Sequence, residues 1–216
     1  MSMGDKMMSD YQALYDAVLT GDSRTARDTT AAAVAAGFEP LKLVQDYMMP
    51  AMDEVGRRFE NNDYFVPELL LAARAMKASL EIVRPLLAAG GVEPAGKVVI
   101  GTVKGDLHDI GKNLVAAMLE GGGYEVIDLG VNADPEKFVT AVKQSNARIV
   151  AMSALLTTTM PAMKTTIEAL KQGGVRDKVK IMIGGAPTSE KYAKEIGADG
   201  YSESAAAAVG LARSMI

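Results

Sequence analysis

Two hydrophobic patterns divide the chain. Up to residue 88 the apolar positions recur at helical spacing, and from Lys97 onward they fall in short continuous runs separated by helical stretches. Tyr11, Leu14, Tyr15 and Val18 make one face of a helix over residues 8–20, which stops at Gly21-Asp22. Ser23 is a candidate N-cap for a second, alanine-rich helix ending at Gly37. Leu41, Val44, Met48, Met52, Val55 and Phe59 form a stripe over residues 39–59, and Pro50 predicts a kink within it. Pro67 suits the first turn of a fourth helix, 67–88. Four helices joined by short loops predict a small bundle over residues 1–89. Glycine, proline and loss of periodicity mark 90–96 as a linker.

The second pattern predicts strands at 97–103, 124–130, 147–153 and 179–184, with a weaker one near 199–202. Helical segments follow at 110–121, 134–145, 160–173, 188–197 and 204–214. Strands alternating with helices imply βαβ units and a buried parallel sheet. The fold class is therefore α + α/β, a helical bundle followed by a doubly wound five-stranded parallel sheet of Rossmann or flavodoxin-like type over residues 97–216. Ligands of such sheets sit beyond the carboxyl ends of the strands. That directs attention to the loops at 104–111, 130–134, 153–159, 184–188 and 201–204.

The first of these loops holds the chain's one histidine, in Asp106-Leu107-His108-Asp109-Ile110-Gly111. A carboxylate two residues before a lone imidazole, between strand and helix, is the pattern of a metal ligand whose other ring nitrogen is held by a carboxylate. There are no cysteines, which excludes disulfides, thiolate zinc, iron–sulfur clusters and cysteine nucleophiles. With one histidine, a zinc site would need an unusual carboxylate-rich set. A metal here more naturally arrives in a macrocycle that supplies most of its own ligands. The net charge of −4 argues against a nucleic-acid partner, and no apolar run approaches the roughly 20 residues that span a bilayer. The N-terminus carries no apolar signal core, so a cytoplasmic location is expected.

Gly105-Asp106-Leu107-His108-Asp109-Ile110-Gly111, Ser153-Ala154-Leu155 and Gly184-Gly185 together resemble the DxHxxG…SxL…GG signature of cobalamin-binding domains. Ser153 lies 45 residues after His108, and Gly184 another 31 on. Residues 50–59 and 64–70 resemble the helical cap of cobalamin-dependent methionine synthase and of the stand-alone corrinoid proteins of methylamine, methanol and aryl-ether demethylation. The resemblance covers almost the whole chain. It implies a cobalamin cofactor whose cobalt cycles between cob(I)alamin and methylcobalamin, with His108 as its lower axial ligand. Asp106 and Ser153 follow as a proton-linked second shell, Ser153 hydrogen-bonding Asp106. Gly105, Leu107, Asp109, Ile110, Gly111, Leu155, Thr157, Gly184, Gly185 and Ser204 are the implied cofactor contacts. Phe59 and Val66 match the residues that cover the upper face of cobalt. Gln45 departs from a more acidic cap residue in methionine synthase.

The implied function is a methyl carrier in one-carbon metabolism, without turnover of its own. Its partners are a substrate-specific methyltransferase, a second methyltransferase to tetrahydrofolate or a thiol, and a reductive activating protein. A cobalamin-dependent sensor or regulator shares the cap and cofactor domain. Such sensors normally carry a tryptophan- and histidine-bearing cap, and this chain has no tryptophan and no second histidine. Taken without the resemblance, Asp109 reads as the N-cap of the helix at Ile110, Gly111 as a close helix–strand contact, and Gly121-Gly122-Gly123 as a helix stop. Phe59 and Val66 then read as core, and Arg57-Arg58 with residues 60–63 as a solvated helix end.

Overall fold

A computed structural model describes residues 3–90 and 95–216. Residues 91–94 of the expected linker lie outside the described residues. The chain divides into two compact units, one holding the N-terminal helices and residues 120–123, the other residues 95–119 and 124–216.

The first unit is helical throughout. Helix α1 is Met3–Thr20 and α2 is Ser23–Ala35. The cap of α2 is Asp22, not Ser23: its carboxylate accepts the Thr25 N–H at 3.0 Å and the Thr25 hydroxyl at 2.7 Å. A carboxylate satisfies two donors there, where serine satisfies one. The stripe at 39–59 is not one kinked helix. It comprises a short α3, Pro40–Lys42, a π-helical turn, Leu43–Met48, and α4, Met49–Glu60. Pro50 explains the difference. Its ring would crowd the carbonyl four residues back and it has no N–H to donate. The widened turn shifts the pairing so that Met49 N–H reaches the Val44 carbonyl, five residues back. Helix α5, Val66–Ala89, completes the unit. Leu14, Val18, Leu43, Met48, Met52, Val55, Leu69, Met76 and Val83 are its buried core.

Arg57 and Arg58 are not merely a solvated helix end. Glu54 receives Arg57 through both of its oxygens at 2.6 and 2.7 Å, and Arg58 at 2.8 Å. Arg58 also donates to the Tyr64 hydroxyl at 3.1 Å, bracing the turn that leads into α5.

The second unit is a five-stranded, wholly parallel sheet. Its strands are β1, Lys97–Thr102, β2, Glu125–Asp128, β3, Ile149–Ser153, β4, Lys180–Gly184, and β5, Gly200–Tyr201. They run in the order β2-β1-β3-β4-β5. Helices α6, Ile110–Gly121, α7, Pro135–Ser145, α8, Pro161–Gln172, α9, Glu190–Ile196, and α10, Ala205–Met215, connect and follow them. One face is sealed by a cluster of Val99, Val150, Ile181 and Ile183 with Phe138, Val142, Met163, Ile167 and Leu170 from α7 and α8. Side chains alternate along each strand, so Val98, Ile100, Ala151 and Met182 turn to the other face. The buried Leu114 and Met118 of α6 and Ala208 and Ala212 of α10 fall outside the first cluster and serve that second face. The strand order reverses between β1 and β3, where a doubly wound sheet opens a crevice. The loops after β1 and β3 flank that crevice, and the first carries His108.

Hydrogen bonds from Arg57 and Arg58 lower the Glu54 carboxyl from an ordinary 4.5 to about 2. The folded carboxyl thus binds its proton more weakly than the unfolded one, and its contribution to stability is present above pH 4.5 and lost as pH falls toward 2. Urea unfolding of wild type and Glu54→Gln should show a gap at pH 6 that narrows steadily as the pH is lowered through 4 to 3, on its way to closing near the folded value of about 2. A gap constant with pH contradicts the assignment.

Candidate functional site

The site grows from one buried carboxylate. Asp106 is fully buried at the mouth of the sheet and takes four hydrogen bonds. Its Oδ1 accepts the His108 backbone N–H at 3.0 Å and lies 2.7 Å from His108 Nδ1. Its Oδ2 accepts the Leu155 N–H at 2.8 Å and the Thr159 hydroxyl at 2.7 Å. Burial pushes this carboxyl upward. The donors from Thr159, Leu155 and His108 outweigh it and hold Asp106 far below the usual carboxylate range. An ionised Asp106 fixes the Nδ1–H tautomer of His108, and the imidazole's other nitrogen, Nε2, has no hydrogen-bond partner among the described residues. The ring is half exposed. The His108 carbonyl is pinned in turn by the buried Thr102 hydroxyl at 2.9 Å.

Ser153 is not the hydroxyl partner of Asp106. It ends β3, in register with Thr102 and Gly184, and its carbonyl accepts the Val103 N–H at 3.0 Å. The following loop then turns so that Leu155 N–H and Thr159, rather than Ser153, meet the carboxylate. Thr159 Oγ1 also lies 2.9 Å from the Leu156 carbonyl. Its single proton goes to the carboxylate, which makes the stronger charge-assisted bond. The sequence placed this partner on the last residue of β3, and it lies six residues on, in the loop that follows.

The rim around His108 is apolar. Leu107 and Ile110 are 71% and 74% exposed, and Leu155 and Leu156 are also exposed. Gly111 has no atom within 4 Å of where a Cβ would stand, so it is not a helix–strand packing contact. Gly185 is required by the protein's own backbone, and Gly184 stands in a tight fit against it. A Cβ on Gly184 would stand 3.1 Å from the Ser202 carbonyl oxygen, and one on Gly185, at φ 122°, 1.9 Å from that of Ala154. Those glycines bring the loops after β3 and β4 together, as the Ala154 N–H to Gly184 carbonyl bond at 3.3 Å also shows.

Asp109 sits at the head of α6 with its carbonyl accepting the Asn113 N–H at 2.7 Å. Its carboxylate takes the Asn113 side-chain amide at 3.2 Å instead of capping a backbone N–H. Ser204 Oγ caps α10 through the Ala207 N–H at 3.0 Å. Thr157 is exposed on the loop after β3. Phe59 and Val66 belong to the helical unit, one half-buried near the end of α4 and the other exposed at the start of α5. Phe65, which the sequence reading passed over, is more exposed than either at 61%.

Among the described residues no three histidine, cysteine, aspartate or glutamate side chains gather to hold a metal ion. A single imidazole oriented from behind, with exposed leucine and isoleucine on its own loop and on the loop after β3, fits a flat, largely apolar macrocycle that brings its own equatorial ligands. Residues 96–210 match the family model described as a B12 binding domain, and residues 11–84 match a second model of that description. The chain belongs to the B12-binding corrinoid proteins. Its cofactor is a cobalamin. This corrinoid protein has one histidine, His108. A corrinoid protein of Desulfitobacterium hafniense is 40% identical over 213 residues, covering 97% of this chain and 99% of that one. Trimethylamine corrinoid protein 1 of Methanosarcina acetivorans is 41% identical over 203 residues, covering 93% and 94%. The solved methanol:cobalamin methyltransferase complex of Methanosarcina barkeri matches with a TM-score of 0.84 at 30% identity, covering 95% of this chain and 79% of that one.

Thr159→Val leaves a buried carboxylate oxygen short of one donor, and should cost the apo corrinoid protein about 1–3 kcal/mol in urea unfolding. Ser153→Ala removes no hydrogen bond and should stay within about 0.5 kcal/mol of wild type. The reverse order would restore Ser153 as the partner.

Proposed function

We propose that this corrinoid protein is a methyl carrier that holds cobalamin with its own base displaced and His108 in its place. It receives a methyl group from a substrate-specific methyltransferase and delivers it to a second methyltransferase acting on tetrahydrofolate or a thiol. The observation that carries the reading is the Asp106 clamp, which holds Nδ1 of His108 and leaves Nε2 without a partner among the described residues, on loops that expose Leu107, Ile110, Leu155 and Leu156. Relatives named as methylamine corrinoid proteins, and the fold shared with a methanol:cobalamin methyltransferase complex, support it. When bound, the cobalamin supplies a cobalt centre that takes methyl from one donor and gives it to one acceptor.

The chain's residues do the rest. Asp106, kept ionised, holds the Nδ1 proton and makes Nε2 a stronger donor to metal. Leu107, Ile110, Leu155 and Leu156 exclude water beneath the macrocycle. Gly105 and Gly111 let it lie close, and Thr157 and the turns at Gly184, Gly185 and Ser204 line the course of the displaced nucleotide tail. Phe59 and Val66 would cover the bound cofactor between transfers and give way to each partner. The carrier has no turnover of its own, because the substrate-recognition surface belongs to the partner methyltransferase. A reductive activating protein returns oxidised cofactor to use. No helix of the described residues is long and apolar enough to cross a membrane.

Reconstitution with hydroxocobalamin should yield near-equimolar bound corrinoid with a visible spectrum of histidine-ligated cofactor. His108→Ala should shift that spectrum to the base-off form. An absence of bound corrinoid contradicts the carrier reading, and an unchanged spectrum in the variant contradicts the ligand assignment.

A further inference from the structure

Lys112 is the one basic side chain recorded as buried among the described residues, at 3% exposure. It is the third residue of α6, where the positive end of the helix dipole opposes a cation and burial adds a desolvation cost. Two costs at one position call for a compensating role, and its partners define one. The ammonium donates to Asp128 Oδ2, at the end of β2, and to Asn113 Oδ1 at 2.7 Å. The other oxygen of Asp128 accepts the Gly130 N–H at 2.8 Å. Two residues further, Asn132 adopts a left-handed φ of 49°. From there its N–H donates to the Asp106 carbonyl at 2.9 Å, and its Oδ1 accepts the Gly105 N–H at 2.8 Å. On the other side, Asn113 gives its side-chain amide to Asp109. These bonds close a ring around residues 105–109, through groups that Leu155 and Thr159 do not touch.

We propose that Lys112 is a positioning residue for His108. By joining α6 to the end of β2 it fixes both flanks of the histidine loop. The Gly105-Asp106 flank is held through Asp128, Gly130 and Asn132, and the Asp109 flank through Asn113. Leu155 and Thr159 set the carboxylate that orients the ring, and Lys112 sets where the loop carries that ring. The consequence for cobalt rests on His108 being the axial ligand. A purely structural lysine would tie α6 to β2 and loosen the whole sheet when lost. A positioning lysine loosens the loop.

The test is amide hydrogen exchange on the full apo chain for wild type, Lys112→Met and Asp128→Asn, followed by visible spectra of the cobalamin-loaded proteins. Asp128→Asn keeps an acceptor for Gly130 N–H, changes a side chain that is 40% exposed, and supplies the measurement should Lys112→Met not fold. Amides of residues 105–110 are expected to exchange about tenfold faster or more in the variants, with those of β3 and β4 unchanged. The histidine-ligated share of bound cofactor should fall in parallel. Equal acceleration across the sheet, or an unaltered loop, overturns the proposal. Faster loop exchange with a base-off spectrum already in wild type upholds the positioning role and removes the axial-ligand reading instead.

Discussion

A buried, ionised carboxylate is the constraint on which this site depends. Asp106 has no exposure to water, so its charge is tolerable only while its oxygens are bonded. Four donors meet it, from three residues on two loops, and hydrogen bonds to a charged group contribute roughly 1.5–3 kcal/mol each. Satisfying the carboxylate therefore does three things at once. It fixes one tautomer of His108, it docks the loop after β3 onto the loop after β1, and it leaves Nε2 as the ring's outward nitrogen.

The sheet makes that convergence possible. In the order β2-β1-β3-β4-β5 the chain leaves β1 in one direction and builds away from β3 in the other. The loops that follow β1 and β3 thus face each other with no connection crossing between them. Glycines at 184 and 185 let a third loop close against the second, because any larger residue at 185 would drive its Cβ into the Ala154 carbonyl. The helical unit is held on its own terms, by a leucine, valine and methionine core and by the Glu54 carboxylate with its two arginines. It presents Phe65 and Val66 as exposed apolar side chains at the entry to α5.

Much of this was legible in the sequence, for reasons that can be named. Strands buried on both faces read as continuous apolar runs, so 97–103 and 147–153 located β1 and β3 and therefore the crevice. The Asp106/His108 spacing stood out because the chain has no other histidine. Which hydroxyl answers Asp106 was not legible. Ser153 closes β3 and Thr159 lies on the loop that follows, and only the turn of that loop decides which reaches the carboxylate. The π-helical turn before Pro50 was missed because proline signals a broken ladder without saying how the ladder repairs itself. Lys112 reads as an ordinary polar position of a helix. Its burial and its bond to Asp128 depend on β2 pairing beside β1, a tertiary fact with no local signature.

The single histidine makes the central claim directly measurable. The full chain, grown with nitrogen-15 histidine and otherwise unlabelled, is loaded with cob(II)alamin and examined by electron paramagnetic resonance. If His108 Nε2 is bound to cobalt, the axial splitting is the doublet of a spin-one-half nitrogen, in place of the triplet given by an unlabelled sample. A triplet that survives labelling means that the cofactor keeps its own base, and an absence of nitrogen splitting means that no nitrogen is bound. Either result contradicts His108 as the residue that holds the cobalt.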